Sequence, residues 1–422
     1  MGRQILVVGG GGREHALAWA LVASASVDTV VTAPGNPGTA DLGRNEVVEA
    51  SDPEAVADLA ERLGTDLVVV GPEAPLVAGV VDELVRREIP AFGPTAAAAR
   101  IEGSKAFAKE VMEAAGVPTG GAVATTSVDE AVAALERFGA PYVVKADGLA
   151  AGKGVRICAT LAEARGAVDD ALVQGVFGAA GARVVIEEYL DGPERSVFGV
   201  CDGTDVVLLE PAQDYKRARD GDEGPNTGGM GAYSPVPGFT LADVSYLEEL
   251  VFRPVLRELA ARGTPYRGLL YAGLVETAAG PKLLEFNARF GDPETQAILP
   301  RLASDLGELL SAAAVGRVQD IEVAWRDDAA VTVVLASDGY PGPYPTGVPI
   351  VGVDDAGSLA GVEVFHAGTR EQDGQLVTAG GRVLAVTALG MDVAAARERA
   401  YAASNRITFD GMHRRGDIAA GI

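Results

Sequence analysis

A strand, a forced break and a helix start are packed into one run, KLLEFNARFGDPETQ from Lys282 to Gln296, and no other stretch limits the fold so tightly. Read as a strand, residues 282–289 alternate, with Glu285, Asn287 and Arg289 on one face and Leu284, Phe286 and Ala288 on the other. One face then carries chemistry and the other packs. A carboxylate beside an amide oxygen suits Mg²⁺, which takes few protein ligands and completes its shell with water and phosphate oxygens. Arg289 is placed to fork onto the same phosphates. Gly291, Asp292 and Pro293 end the strand, and residues 294–301 can start a helix. Polar groups thus gather at a strand end, where α/β sites usually lie. The competing reading is an exposed strand with ordinary surface charge.

A chain of 422 residues is too long for one core and suggests roughly two to four domains. Its 59 acidic against 35 basic residues give a net charge of -24, which disfavours nucleic acid or an anionic membrane as a general partner. A phosphorylated substrate must therefore meet a local cationic pocket. Cys158 and Cys201 are too few for a disulfide framework or a thiolate metal site and fit a reducing compartment. The sequence enters its first strand, residues 3–9, without an apolar signal region, and no run reaches transmembrane length, so a cytoplasmic protein is expected.

Residues 4–8 are an apolar run followed by four glycines, then Arg13, Glu14, His15 and a helix-like segment over 16–23. Glycine lets backbone N–H groups approach an anion at a helix N-terminus, so this is a phosphate-binding pattern. The dinucleotide fingerprint fails, because Glu14 or His15 stands where its third glycine belongs. Further buried-type strands over 29–33 and 66–70 run into Pro34, Gly35 and Asn36 and into Gly71, Pro72 and Glu73. Parallel strands would bring residues 10–15, 36–38 and 71–76 to one rim. For His15 a capping or core role stands beside the functional one.

Ser104 is a plausible N-cap for a helix reaching residue 115, and the pattern resets near Pro118, where a small inserted domain begins. It is expected to contain a helix over 128–138, a strand over 142–145, a helix over 161–173 and a strand over 183–186. Lys145 precedes the loop ADGLAAGKG, which can close over a polyphosphate with backbone N–H groups and Lys153 as donors, or serve only as a hairpin turn. It is not a Walker A loop, since Gly154 replaces the Ser or Thr. Glu187, Glu188 and Glu194 flank a strand end and suit a purine amino group and a ribose diol, or equally a solvated turn. Residues 224–231, GPNTGGMG, are too rich in glycine for a core element and read as a substrate loop.

Together with GGREHALAW, APGNPGTA, VGPEAPLVAGVVD, FGPTAAAARIEGSKAF, KADGLAAGKGV, IEEYLDGPE, GPNTGGMGAYSP and EFNARFGDPETQ, these residues make the chain resemble the ATP-grasp enzymes, and among them the phosphoribosylamine-glycine ligase family. The resemblance implies an α/β multidomain fold. A parallel-sheet domain over residues 1–103 would bind phosphoribosylamine, an ATP-grasp domain over 104–325 would carry a small mobile lid at about 118–190, and 326–422 would form a β-rich C-terminal domain. The implied activity joins glycine to 5-phosphoribosylamine at the expense of ATP, through glycyl phosphate, in purine biosynthesis. Lys105, Lys145 and Lys153 would neutralise ATP phosphates with Gly152 in the closing loop, Glu187 and Leu190 would meet adenine, and Glu194 the ribose. Glu285 and Asn287 would hold Mg²⁺ or Mn²⁺. The phosphoribosylamine pocket would comprise Gly11, Gly12, Arg13, Glu14, His15, Asn36, Pro37, Gly38, Pro72 and Glu73. Asp214, Lys216, Asn226, Thr227, Gly228 and Gly229 would line the reaction centre, with Arg289, Asp292 and Lys153 as its catalytic groups. The chain departs from common patterns twice: residues 270–275 lack the metal carboxylate many ATP-grasp enzymes carry there, and Gly10 stands where family members often have Asn. A monomer is expected. Other readings are a different ATP-grasp ligase or carboxylase of purine synthesis, using formate or bicarbonate, and an ATP-binding sensor without turnover.

From residue 329 short β runs at 331–335, 362–366 and 382–387 precede a helix over 393–404. This region is expected to pack over the ATP site without a catalytic constellation, with His366 and His413 structural or exposed.

Overall fold

Ile5, Leu6, Val7 and Val8 are fully buried, because the strand that holds them is covered on both faces. Leu6 and Val8 enter one hydrophobic core while Ile5 and Val7 enter another, and Val68 and Val70 alternate with Leu67 and Val69 in the same way. The computed structural model describes residues 2–150 and 154–422. Its N-terminal sheet is parallel, in the order Arg44–Asn45, Val27–Pro34, Arg3–Gly9, Leu67–Val70, Ala91–Phe92. The order reverses beside Arg3–Gly9, so a crevice opens at the ends of that strand and Leu67–Val70.

A second, antiparallel sheet lies in the order Val206–Leu208, Glu194–Asp202, Arg267–Thr277, Gly280–Asn287. It shares both cores with the N-terminal sheet, so these two layers form one body. A third sheet pairs Ala122–Thr125, Val184–Glu187, Tyr142–Ala146 and Val155–Cys158, backed by the helices Val128–Phe138 and Leu161–Leu172. This unit encloses a small core of its own, Ala131, Leu135, Val144, Ala167, Val168 and Ile186 among others. A separately cored unit joined by two strands of chain can move against the body, as a lid must.

The C-terminal sheet takes two strands from the middle of the chain: Gln213–Asp214, Gly231–Ser234, Ala329–Ala336, Arg382–Gly390, Val362–His366. The glycine-rich loop expected over 224–231 is therefore shorter than its composition suggests. Met230 is fully buried and Gly231 opens a strand, because the Cβ that glycine lacks would meet the Thr332 carbonyl at 2.7 Å and Ile418 at 2.8 Å. Besides adjoining the second sheet where Ala212 and Ser196 exchange backbone hydrogen bonds, the sheet packs over the N-terminal domain. Phe365 meets the rings of His15 and Trp19 at 5.5 and 6.0 Å, and the His366 backbone bonds to His15 and Asn36. Among the described residues no helix is long and apolar enough to cross a membrane.

Candidate active site

The rim forms as the strand ends require. Gly35 N donates to Gly9 O at 3.1 Å, Gly71 N to Val8 O at 3.0 Å and Asn36 Nδ2 to Gly10 O at 3.0 Å, tying the three loops together. The first helix, Gly12–Val22, starts within the glycine run, earlier than expected, so Arg13, Glu14 and His15 occupy its first turn. Glu14 turns back to accept from Gly11 N at 2.6 Å and fills the space beside Gly9 and Gly71, where a side chain would collide with it. Arg13 pairs with Glu14 and donates to the Phe290 carbonyl at 3.1 Å. Asn36 caps the helix Pro37–Leu42, and its amide reaches His366 O at 2.9 Å. His15 Nδ1 accepts from His366 N at 2.8 Å. Burial, then the neighbouring His366, pushes the His15 imidazole down to about 3, and burial pushes His366 to about 4 against the pull of Asp41 and Asp354. Gly38 lies beneath both rings. Thus Arg13, Glu14, His15 and Asn36 are buried and hold the rim in shape.

Asp292 faces this rim, its carboxylate oxygens 3.9 and 3.8 Å from where side chains at Gly11 and Gly12 would begin. Burial opposes its charge, but Arg382 and then Arg13 keep its pKa below the usual carboxylate range. Arg382 arrives from the C-terminal sheet: its guanidinium pairs with Asp292 Oδ2 at 3.0 Å and donates to the carbonyls of Asp292 at 2.6 Å and Gly228 at 2.8 Å. Tyr340 Oη accepts from Gly228 N at 3.0 Å. Thr227 Oγ1 donates to Lys216 O and accepts from Gly229 N, while Asn226 ends a hairpin strand opposite Arg217. Gly229 has φ +111° and abuts Pro293, where a Cβ would stand 2.4 Å from its ring.

The strand that carries the metal candidates differs in phase from simple alternation. A bulge leaves Leu284 unpaired between Leu283 and Glu285, so Leu283, Phe286 and Ala288 are buried and Leu284 is not. Leu283 bonds instead to Pro118 and Thr119. Glu285, Asn287 and Arg289 still share the chemical side. Burial raises the cost of the Glu285 charge, yet Lys216, Lys145, Lys105 and Arg289 hold it below the ordinary value. Lys216 Nζ lies 2.8 Å from Glu194 and 3.8 Å from Glu285. Burial lifts Asp214 to about 7, with Lys216 opposing and Glu294 and Glu194 adding to the rise. Arg289 is engaged by Glu73 and Glu102, each at 3.3 Å, and donates to Asn287 Oδ1 at 3.3 Å. These acids outweigh burial and raise its pKa. Pro72 caps the short helix that presents Glu73.

Across the cleft, Lys145 and Lys109 both reach Glu187 Oε2 at 3.0 Å, and Lys105 Nζ lies 3.4 Å from the Gly148 carbonyl. Burial lowers the pKa of Lys105 and of Lys109. Leu190 and the Glu188 carbonyl cover Gly120, at the root of the lid. Lys153 and Gly152 lie outside the described residues. Sequence reasoning missed four residues. Lys109 could have been found, standing one helical turn from Lys105 on the helix Lys105–Ala114. Glu102, Tyr340 and Arg382 had no local signal, because their partners are distant in sequence.

Two antiparallel sheets facing each other across a lysine-lined cleft, with a carboxylate and an amide oxygen on the floor strand, define an ATP-grasp protein. The matching family models are more particular. They are the phosphoribosylglycinamide synthetase N domain over residues 3–102, its ATP-grasp (A) domain over 103–295 and its C domain over 330–421. The chain belongs to this phosphoribosylglycinamide synthetase family. It is 54% identical to a phosphoribosylamine-glycine ligase of Streptomyces coelicolor over 420 residues, 99% of each chain. The solved phosphoribosylamine-glycine ligase of Thermotoga maritima superposes with a TM-score of 0.84 at 35% identity, covering 98% of this chain and 100% of that one. A biotin carboxylase domain from Hydrogenobacter thermophilus shares the fold alone, with a TM-score of 0.75 at 18% identity over 98% and 92% of the two chains.

Proposed function

We propose that the chain joins glycine to 5-phosphoribosylamine with ATP as the energy source, giving glycinamide ribonucleotide, ADP and phosphate. The observation that carries this reading is the junction at Asp292 and Arg289. There the glycine rim of the N-terminal domain, residues 227–229 and the floor strand of the cationic cleft come together.

Lys105 and Lys145 neutralise the ATP phosphates, joined by Lys153 and by backbone N–H groups around Gly152. Leu190 covers the adenine and Glu194 takes the ribose hydroxyls. The Glu187 carboxylate is engaged by two lysines, so a contact from this position to adenine falls to its backbone. The donors Glu285 and Asn287 fit Mg²⁺, or equally Mn²⁺, as hard oxygens two residues apart on one side of a strand. The surrounding Lys105, Lys145, Lys216 and Arg289 repel a bare cation, so Glu285 and Asn287 would hold the ion only beside the nucleotide phosphates. When bound it spreads the charge developing on the transferred phosphoryl group.

The glycine carboxylate attacks the γ-phosphate, expels ADP and leaves glycyl phosphate. Arg289, fixed by Glu73 and Glu102, offers its charge to the phosphoryl oxygens without reorganising. The amine of phosphoribosylamine, held along residues 10–15, 36–38 and 72–73, attacks the acyl carbon and releases phosphate. Asp214, lifted by burial to about 7 against the nearby charge of Lys216, is suited to take the proton that this amine loses. Glycyl phosphate hydrolyses readily, so the lid closes before it forms.

The test is ADP release by the purified protein given ATP, Mg²⁺ and glycine, with and without phosphoribosylamine generated in the cuvette. Release requiring both substrates, with glycinamide ribonucleotide as product, is expected; release without glycine dependence would remove this acceptor assignment and keep the ATP-grasp fold.

A further inference from the structure

The lysines around Glu187 are not equivalent. One carboxylate oxygen receives both ammonium groups at 3.0 Å, and the three side chains are almost fully buried, at 11% exposure for Lys109, 4% for Lys145 and 3% for Glu187. Lys109 has a second anchor. Its Nζ donates to Thr119 Oγ1 at 2.8 Å, and that hydroxyl donates in turn to the Leu283 carbonyl at 2.6 Å. Among the described residues Lys145 is held by Glu187 alone. The cluster therefore carries one surplus positive charge, with one amine pinned and the other free to go.

We propose that Lys109 is a positioning residue whose task is to keep Glu187 neutralised when Lys145 leaves it for a nucleotide phosphate. The proposal rests on the reading that ATP phosphates bind at Lys145. The physical reason is the cost of an orphaned buried charge. Removing one partner of a buried ion pair is strongly unfavourable, because the remaining charge has neither water nor a counter-ion. Without Lys109, Lys145 could engage a phosphate only by abandoning Glu187, so Glu187 would compete with the nucleotide. With Lys109 in place the carboxylate stays paired throughout. Lys109 also belongs to three parts of the molecule at once: it sits on the body helix Lys105–Ala114, holds the lid strand Val184–Glu187, and bonds Thr119 at the base of the lid. The same contacts that satisfy Glu187 thus fix the lid strand over the phosphates.

The experiment is equilibrium binding of ADP by titration calorimetry, which needs no turnover, alongside the KM for ATP. Lys109→Met is expected to weaken ADP binding and raise the ATP KM by about tenfold or more. Adding Glu187→Gln removes the competitor and restores both to within about threefold of wild type, while Lys109→Arg keeps them near wild type throughout. ADP affinity unchanged in Lys109→Met, or a loss that Glu187→Gln does not restore, would overturn the proposal; the second result would make Lys109 a direct nucleotide contact or a packing group. Should Lys109→Met alone fail to fold, Glu187→Gln is compared with Glu187→Gln/Lys109→Met. The two are expected to bind ADP alike, and a further tenfold loss in the double variant counts against the idea. Wild-type protein that binds no ADP would instead remove the nucleotide reading, and this inference with it.

Discussion

The glycine rim and the lysine cleft are built on opposite principles. In the rim each buried polar side chain that shapes it has fixed partners, and several come from the C-terminal sheet: Asn36 to the His366 carbonyl, His15 to the His366 N–H, Asp292 to Arg382. In the cleft, charges are shared. Two lysines divide one Glu187 oxygen, and Lys216 is held between Glu194 and Glu285. The rim shares the body's cores, whereas the lid above the cleft has its own. A substrate site that must hold an amine in line with an acyl carbon benefits from rigidity. A nucleotide site that must open for ADP benefits from contacts that can change partners.

The largest break in this contrast is expected from Arg382→Met. It takes from the part-buried Asp292 carboxylate its paired cation, leaving Gln296 as its hydrogen-bond partner, and frees the carbonyls of Gly228 and Asp292. Loss of a charge-assisted hydrogen-bond partner from this part-solvated pair costs about 1.5–3 kcal/mol in stability. Misplacing the reacting groups by about 1 Å costs roughly 10²-fold in rate. Steady-state kinetics should show that loss in kcat/KM for phosphoribosylamine, with the KM for ATP within about threefold of wild type. An equal loss for both substrates would mean that the rim and the cleft are not separately built.

Arg382 also marks where the sequence stops being legible. The parallel sheet, the lid elements and the helix Lys105–Ala114 with its Ser104 cap follow from apolar runs and local capping chemistry. The loops that meet at the rim follow from parallel strand geometry. What sequence reading misses depends on contacts distant along the chain. The bulge at Leu284 shifts the packing phase because Leu283 bonds to Pro118 and Thr119, and residues 231–234 become a core strand because Ala329–Ala336 pairs with them. A glycine-rich composition predicts a loop only until a neighbouring strand supplies its missing partners. The side shared by Glu285, Asn287 and Arg289 is readable because bulge and break leave it intact.

Acid should attack the rim next. His15 and His366 have ordinary unfolded values near 6.5 and folded values of about 3 and about 4, so the folded state holds them neutral. The unfolded chain then binds more protons wherever the pH lies between those limits. Stability is fully present above about pH 6.5 and is lost as the pH falls towards 4, by roughly 2 kcal/mol for each ring between pH 7 and 5. Thermal melts should fall steeply over that window, and less steeply in His15→Gln. An identical slope in that variant would place the acid sensitivity elsewhere.

The smallest effect is also the most discriminating, because one substitution, Gly→Ala, is expected to act with opposite sign in the two regions. At Gly38 the added Cβ would stand 2.1 Å from His15 Cε1 and 2.8 Å from His366 Cδ2. The His15 ring is held by the His366 backbone N–H and the His366 ring by the Thr369 hydroxyl, so neither yields cheaply and Gly38→Ala should destabilise by about 1–3 kcal/mol. Gly166 lies inside the lid helix Leu161–Leu172, exposed, with nothing within 4 Å of its Cβ position. There alanine adds helix propensity alone and should stabilise by roughly 0.5–1 kcal/mol. Because the lid core is separate from the body's, that gain should appear as slower amide hydrogen exchange in the lid, with little change in the N-terminal sheet. Exchange slowed equally in both would show that lid and body open together, and the contrast between a fixed rim and a movable cleft would then lose its physical basis.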